Sequence, residues 1–291
     1  MTNSSLRGSA PLVPPPPFVI RELCERALAE DLGRGDVTTD ACVPPSLTGR
    51  VSLVAREPLV LAGIRVFETV FALVDARIEV SASASDGDRV AKGDVIAGVH
   101  GPAGSILKGE RVALNFVQRM SGVATKTRSF VDALPAGSKT RIADTRKTTP
   151  GLRALERYGV RCGGGSNHRD DLSSAVLIKD NHIAACGGVR VAIERARAFA
   201  PHTSRIECEV DRMEQLQEAI DAGADIVLLD NFDDAALAAA VAFVAGRALI
   251  EVSGGVTLER IPKIAAAGVD VISAGGLTHS ARAVDLALDW A

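Results

Sequence analysis

The stretch Asp225–Gly255, DIVLLDNFDDAALAAAVAFVAGRALIEVSGG, decides the fold of this chain. It begins with a short apolar run that ends at Asp230 and Asn231, and continues through an alanine-rich segment of helical character. A second short apolar run follows and ends in Ser253-Gly254-Gly255. A strand, a helix and another strand in this order form the repeating unit of a parallel sheet with right-handed crossovers. The stretch therefore predicts an α/β protein.

The same alternation continues on both sides of this stretch. We expect six parallel strands, at Thr140–Ala143, Ala175–Ile178, Arg205–Val210, Asp225–Leu229, Ala248–Val252 and Asp270–Ser273. Polar or charged residues stand at the end of every strand. This favours a barrel, which gathers all its strand ends at one mouth, over a doubly wound open sheet, which uses mainly one switch point. Because six strands do not complete the usual eight-stranded barrel, we predict an incomplete one of six to seven strands.

The first part of the chain has a different pattern. Short strands at 48–56 and 77–83 and helices at 18–31 and 64–74 predict a mixed α+β domain with an antiparallel sheet. The stretch Gly35–Asp40 is interpreted as a polar turn, and 106–134 as a long helix. The predicted domains are a flexible arm at 1–16, an N-terminal domain at 17–125 and the barrel at 126–279. Residues 280–291, interpreted as a last helix, pack back onto the N-terminal domain.

Composition excludes several classes of protein. The five cysteines are odd in number and include no C-x-x-C pair, which argues against a disulfide framework or a zinc site and favours the cytoplasm. No apolar run approaches the roughly 20 residues of a membrane span, and the N-terminus lacks the apolar stretch of a secretion signal.

The net charge of −3 conceals a basic segment, Lys139–Arg169, with eight Lys and Arg residues and two acids. It predicts an anionic ligand, and we expect neither nucleic acid nor a membrane as a partner. Arg153, Arg157 and Arg161 recur every four residues, so a solvated helix face is the alternative for part of it.

Three groups of cations carry the anion prediction. Thr145, Arg146 and Lys147 follow a strand, where an arginine fork and a mobile lysine can reach one carboxylate or phosphate. The glycines 163–165 let backbone N–H groups approach an anion, and His168 and Arg169 add donors. Lys179 ends the next apolar run. We expect it to bind an anion rather than to form a Schiff base, since nothing in the sequence lowers its pKa.

Carboxylates and glycines follow the remaining strands. Glu207 and Glu209 share one strand face, and Glu209 lies nearer the mouth. Asp230 takes the same place on the next strand, where the two carboxylates can hold Mg²⁺ or ribose hydroxyls; a helix N-cap is the alternative for Asp230. Two glycine turns follow the last two strands, where barrels commonly bind phosphate through backbone N–H groups. They are Ser253-Gly254-Gly255 and Ala274-Gly275-Gly276.

Taken in order along the chain, these blocks resemble the quinolinate phosphoribosyltransferase family. The most specific are Thr145–Arg153 and Arg161–Arg169. The others are Gly35–Thr39, Glu110–Asn115, Ser121–Thr125, Lys179–His182, Glu209, Leu229–Asn231, Ser253–Gly255 and Gly275–Ser280. The resemblance covers the chain from about residue 18 to its end.

The resemblance implies a reaction. Quinolinate and phosphoribosyl pyrophosphate (PRPP) would give nicotinate mononucleotide, pyrophosphate and CO₂, with Mg²⁺ as cofactor. It implies an N-terminal α/β sandwich before an incomplete barrel, and a homodimer in which Arg111 completes the partner's site.

Quinolinate is a dicarboxylate, and PRPP carries a 5′-phosphate and a pyrophosphate, and these charges suggest a role for each residue. Catalytic residues would be Lys147, Lys179, Glu209 and Asp230, with the two carboxylates on Mg²⁺, through water where needed. Quinolinate would bind to Arg111, Arg146, His168 and Arg169 beside Thr145. Lys147 and Lys179 would span substrate and pyrophosphate, and the two glycine turns would seat the 5′-phosphate.

Two departures from the family pattern stand out. Asp170-Asp171 follows Arg169, where they would weaken quinolinate binding unless they point to solvent, and Arg119 stands where the family often has His. The alternatives are a molybdenum-transport accessory homologue, a transferase using nicotinate, and a non-catalytic phosphate-binding barrel.

Overall fold

The computed structural model describes residues 11–290 and divides into two compact units. The first unit contains the described residues up to Thr125, together with Pro150–Gly164 and the described residues from Ala281. The second contains Lys126–Thr149 and Gly165–Ser280. The predicted barrel range, 126–279, differs from the second unit at Pro150–Gly164, a segment that the structure groups with the first unit. The periodicity of that segment indicates a helix, but it does not say which core the helix packs against.

The first unit is built around an antiparallel sheet. The strands of this unit are β1 (Thr48–Ala55), β2 (Leu59–Val60), β3 (Glu79–Ala82), β4 (Arg89–Val90), β5 (Val95–Pro102) and β12 (Leu286–Trp290). Its helices are α1 (Pro17–Leu32), α2 (Val37–Cys42), α3 (Ile64–Val74) and α5 (Arg153–Cys162), and α4 (Ala103–Asp132) contributes residues to both units. Four strands pair in the order β12-β1-β5-β3. Leu155 and Tyr158 of α5 are buried in the core of this unit.

Two local predictions in the first unit are wrong. Residues 286–290 form a strand that pairs antiparallel with β1, not the end of a helix. The buried Leu286 and Leu288 alternate with more exposed residues, as expected for an edge strand with one buried face. The polar turn at Gly35–Asp40 is instead the start of α2, because Asp36 caps this helix by accepting from the Thr39 N–H at 3.0 Å.

The predicted flexible arm falls only partly within the residues that the structure describes. Residues 1–10 lie outside the described residues. In the part that follows, the Val13 carbonyl accepts a hydrogen bond of 2.6 Å from Arg161 Nη2. The end of the predicted arm is therefore held against the first unit.

The second unit contains the parallel sheet. In the described chain its strands are β6 (Arg141–Ala143), β7 (Val176–Ile178), β8 (Ile206–Val210), β9 (Ile226–Asp230), β10 (Leu249–Ser253) and β11 (Val271–Ser273). Its helices are α6 (Asp180–Cys186), α7 (Val189–Phe199), α8 (Met213–Asp221), α9 (Asp234–Val244), α10 (Ile261–Ala266) and α11 (Gly276–His279). All six predicted strands are present, with bounds shifted by one residue at most.

The strand order settles the choice between the two predicted architectures. The sheet runs β6-β11-β10-β9-β8-β7, so the first strand pairs with the last and the others follow in sequence. A doubly wound sheet would place its first strand in the interior. Ser166 bridges Ala143 beside β6. The second unit is therefore an incomplete barrel, and the carboxyl ends of its strands share one mouth.

No helix of the described chain has both the length and the apolar character that a membrane crossing requires.

Candidate active site

A cavity of about 380 Å³ lies at the mouth of the incomplete barrel, within the second unit. Its lining includes nine of the predicted site residues: Thr145, Arg146, Lys147, His168, Arg169, Lys179, Glu209, Asp230 and Ser253. Leu177, Leu228, Glu251 and Ser273 complete the lining. Residues from all six strands or the segments that follow them thus meet at one place, as the barrel prediction requires.

The loop after β6 is held in place by buried polar contacts. Asp144 is fully buried and accepts from the His168 backbone N–H at 2.7 Å and from Asn167 Nδ2 at 2.6 Å. Thr278, also buried, donates from its hydroxyl to the Lys147 carbonyl at 2.7 Å. These contacts fix the segments that carry Lys147 and His168 beside the end of β6.

Two arginines in the cavity oppose each other electrostatically. Burial, followed by the charge of Arg146, lowers the pKa of Arg169, while Glu207 acts in the opposite direction. Arg146 Nε is buried and has no hydrogen-bond partner among the described residues. A buried donor without a partner is costly. An anion bound to both side chains would satisfy the donor and relieve the repulsion.

His168 lies between two buried glutamates. Its Nε2 is 3.4 Å from Glu207 Oε2 and 3.4 Å from Glu251 Oε1. Burial lowers the pKa of His168, but the two carboxylates together outweigh it and raise the pKa to about 10. The Arg169 backbone N–H lies 2.7 Å from Nδ1 and favours the neutral ring, so it acts against that rise. Burial raises the pKa of Glu207, which His168 opposes.

The next strand ends carry a lysine and two carboxylates. Lys179 Nζ donates to Glu209 Oε2 at 2.6 Å. Burial raises the pKa of Asp230, and Glu209 adds to this, while Lys179 and Lys147 oppose it. His182 accepts from the Lys179 backbone N–H at 2.9 Å and thereby caps α6. The predicted catalytic lysines and carboxylates therefore form one charged cluster.

Both glycine turns lie against this cluster. Gly254 has a left-handed φ of +82°, and a Cβ there would lie 2.4 Å from Asn231 Oδ1 and 2.9 Å from Asp230 Oδ1. A Cβ at Gly275 would lie 2.7 Å from Lys147 Cδ. Only glycine permits these close approaches. Ser253 is the one residue of the two turns that lines the cavity; Gly254, Gly255, Ala274, Gly275 and Gly276 do not.

Comparison with known proteins places this geometry in a family. The sequence profile of the C-terminal domain of quinolinate phosphoribosyl transferase matches residues 123–289, and that of the N-terminal domain matches residues 36–121. The chain belongs to the quinolinate phosphoribosyltransferase family.

Curated relatives and a solved structure agree with this membership. A probable nicotinate-nucleotide pyrophosphorylase [carboxylating] of Bacillus subtilis (strain 168) is 43% identical over 270 residues, 93% of each chain. A nicotinate-nucleotide pyrophosphorylase [carboxylating] of Mycobacterium leprae (strain TN) is 44% identical, over 92% of this chain and 96% of the other. The crystal structure of NadC from Streptococcus pyogenes superimposes with a TM-score of 0.92 at 42% identity. It covers 96% of this chain and 99% of the other.

One site residue implied by membership of the quinolinate phosphoribosyltransferase family lies in the first unit. Arg111 is exposed on α4 and lines a surface groove of about 400 Å³ with Glu110, Thr38 and Thr39. The groove is thus lined by residues from two blocks that are separate in sequence, Gly35–Thr39 and Glu110–Asn115. The resemblance rests in part on these two blocks. The role of Arg111 stays a prediction.

The departures from the family pattern have local explanations. Asp170 and Asp171 are exposed, and Asp171 accepts from the Ser173 backbone N–H at 2.9 Å in a turn. Arg119 donates to Glu156, which is fully buried, at 2.6 Å within the first unit. Neither change alters a residue that lines the cavity.

Sequence reasoning missed the functional surroundings of His168. It assigned no role to Glu251, although this residue stands in an otherwise apolar strand two residues before Ser253 and therefore on the same face. A charge within a buried strand was the available signal. Thr278 and Asp144 gave no comparable signal, because their importance comes from contacts with distant parts of the chain.

Proposed function

We propose that the chain transfers the phosphoribosyl group of PRPP to quinolinate and releases CO₂, giving nicotinate mononucleotide and pyrophosphate in NAD biosynthesis. The observation that carries the proposal is the pair of mutually repelling guanidiniums, Arg146 and Arg169, beside His168, in a cavity that also contains Lys147 and Lys179. A dicarboxylate and a pyrophosphate need such a surplus of cations.

Each group then has a chemical task. Arg146, His168 and Arg169 bind the two carboxylates of quinolinate and aim its ring nitrogen at C1 of the ribose. The bond from C1 to pyrophosphate breaks as the ring nitrogen attacks, and the Glu209 and Asp230 carboxylates stabilise the positive charge at C1. The resulting pyridinium accepts the electron pair left when CO₂ departs from C2, which then takes up a proton. Positioning and electrostatics supply most of the rate.

Glu209 and Asp230 are the residues that would hold Mg²⁺. Carboxylate oxygens are the ligands this ion prefers, and both carboxylates line the cavity. When bound, the ion would supply positive charge for the pyrophosphate. Lys179 and Lys147 also act on the Asp230 carboxylate, since both lower the pKa of Asp230.

Purified protein incubated with quinolinate, PRPP and Mg²⁺ tests the reaction. We expect nicotinate mononucleotide, pyrophosphate and CO₂ in equal amounts. Absence of both CO₂ and nicotinate mononucleotide contradicts the proposal. Glu209→Ala separates catalysis from simple phosphate binding: a catalytic barrel loses activity, whereas a phosphate-binding barrel keeps its ligand affinity.

We further propose a homodimer in which Arg111 of each subunit completes the site of the other. Support comes from the exposure of Arg111 in a groove lined by two family blocks. Mixing inactive Arg111→Ala and Lys179→Ala proteins should restore part of the activity, because some mixed dimers contain one intact site. No recovery after confirmed subunit exchange would count against a shared site.

A further inference from the structure

Lys126 is a cation near the mouth that the proposed reaction does not use. It lies on α4 in the second unit, and its Nζ donates to the Ser280 carbonyl at 3.0 Å. A Cβ at Gly276 would lie 3.9 Å from the same nitrogen. The ammonium group is therefore next to the Ala274-Gly275-Gly276 turn.

The preceding glycine of this turn lies next to another lysine. A Cβ at Gly275 would lie 2.7 Å from Lys147 Cδ and 3.3 Å from His279 Cδ2. Lys126 and Lys147 therefore both lie beside the turn, next to Gly276 and Gly275 respectively. An anion seated on the turn would be close to the positive charge of two lysines.

We propose that Lys126 binds the 5′-phosphate of PRPP at the Gly275-Gly276 turn and sets the affinity for PRPP rather than for quinolinate. This inference rests on the proposed function and on the expectation from the sequence that the glycine turns seat the 5′-phosphate. Lys126 is a binding residue in this assignment and takes no part in bond breaking.

The chemistry of the side chain supports the assignment. A lysine ammonium has three donors, and the bond to Ser280 uses one of them. Burial lowers the pKa of Lys126, because the charged ammonium group is partly desolvated at this position. A phosphate dianion within reach would restore the lost solvation through charge-assisted hydrogen bonds. The competing interpretation is that Lys126 only ties α4 to Ser280.

Steady-state kinetics of the full-length protein distinguishes the two interpretations. We expect Lys126→Gln to raise the KM for PRPP about tenfold, as for loss of one hydrogen bond to a charged group. The KM for quinolinate and kcat should stay the same, and ribose 5-phosphate should bind about tenfold more weakly by calorimetry. Lys126→Arg should restore most of the affinity. Arg128→Gln is the matched control, since Arg128 stands two residues further on α4 and pairs with Asp132 at 2.8 Å.

An unchanged KM for PRPP in Lys126→Gln would overturn the inference, and so would an equal rise in the KM of both substrates. Should that variant fold poorly, the parent protein supplies a second measurement. Ribose 5-phosphate should slow reductive methylation of Lys126, but not that of the exposed Lys263; equal labelling rates would overturn it. A parent protein that binds ribose 5-phosphate but forms no product would contradict the proposed function. The labelling experiment would still show whether ribose 5-phosphate protects Lys126, so the two failures can be told apart.

Discussion

Two arginines of the basic segment belong to different units of the structure and make different contacts. Arg146 lines the cavity of the second unit, where it repels Arg169. Arg161, fifteen positions further on, belongs to the first unit, where its guanidinium lies 5.4 Å from the Tyr158 ring centroid and donates to Val13. Each has a buried Nε without a partner among the described residues. The comparison teaches that local charge density alone does not place a cation in the cavity; the position at a strand end does.

The largest expected effect separates these two arginines directly. Arg146→Ala should lower kcat/KM for quinolinate. The loss corresponds to about 2–5 kcal/mol of transition-state stabilisation, as for truncation of a buried charge that is hydrogen-bonded to its partner. Arg161→Ala should leave kcat/KM unchanged and lower the melting temperature, because it loses the contacts with Tyr158 and Val13. Kinetics and thermal unfolding of both variants provide the measurements. Similar kinetic losses in the two variants would break the comparison.

A second effect sharpens the role of the strand end. Gly254→Ala should raise the KM for PRPP and destabilise the fold by about 1–3 kcal/mol, the usual range for a forced left-handed residue. Its Cβ would also collide with Asn231 and Asp230. Gly223→Ala is the matched control, since Gly223 has a φ of +80° and a Cβ there would meet no atom within 4 Å. It should lose stability only. A raised KM for PRPP in the control would contradict the assignment.

The smallest expected effect concerns His168. Because the glutamates raise its folded pKa to about 10 from an ordinary 6.5, its pairing stabilises the fold fully below pH 6.5. That contribution is lost as the pH rises through about 10. Glu251→Gln should lower the pKa of His168, measured by NMR titration of the imidazole. The stabilisation should then be lost at a lower pH than in the parent protein. Glu214→Gln, an exposed change on α8, should leave the titration as it is. An unshifted pKa in Glu251→Gln would show that Glu251 does not act on the ring.

Sequence reasoning succeeded where a local pattern has one physical meaning. The six short apolar strands and the polar residues after them were all found, since burial on both faces favours apolar runs and polar residues follow each strand end. Reasoning failed at β12 and α2. Leu286 and Leu288 suit either a helix or a strand, and the choice is made by pairing with β1, more than 200 positions earlier.

The sequence by itself determined the α/β alternation, the glycine turns and the residue types that meet at the mouth. Each follows from short-range chemistry: apolar runs bury, glycines allow left-handed turns and close approach, and cations attract anions. Only the tertiary structure decided that α5 joins the first unit, that β6 pairs with β11, and that Glu207 and Glu251 enclose His168. These outcomes depend on which distant segments share a core, and no local pattern carries that information.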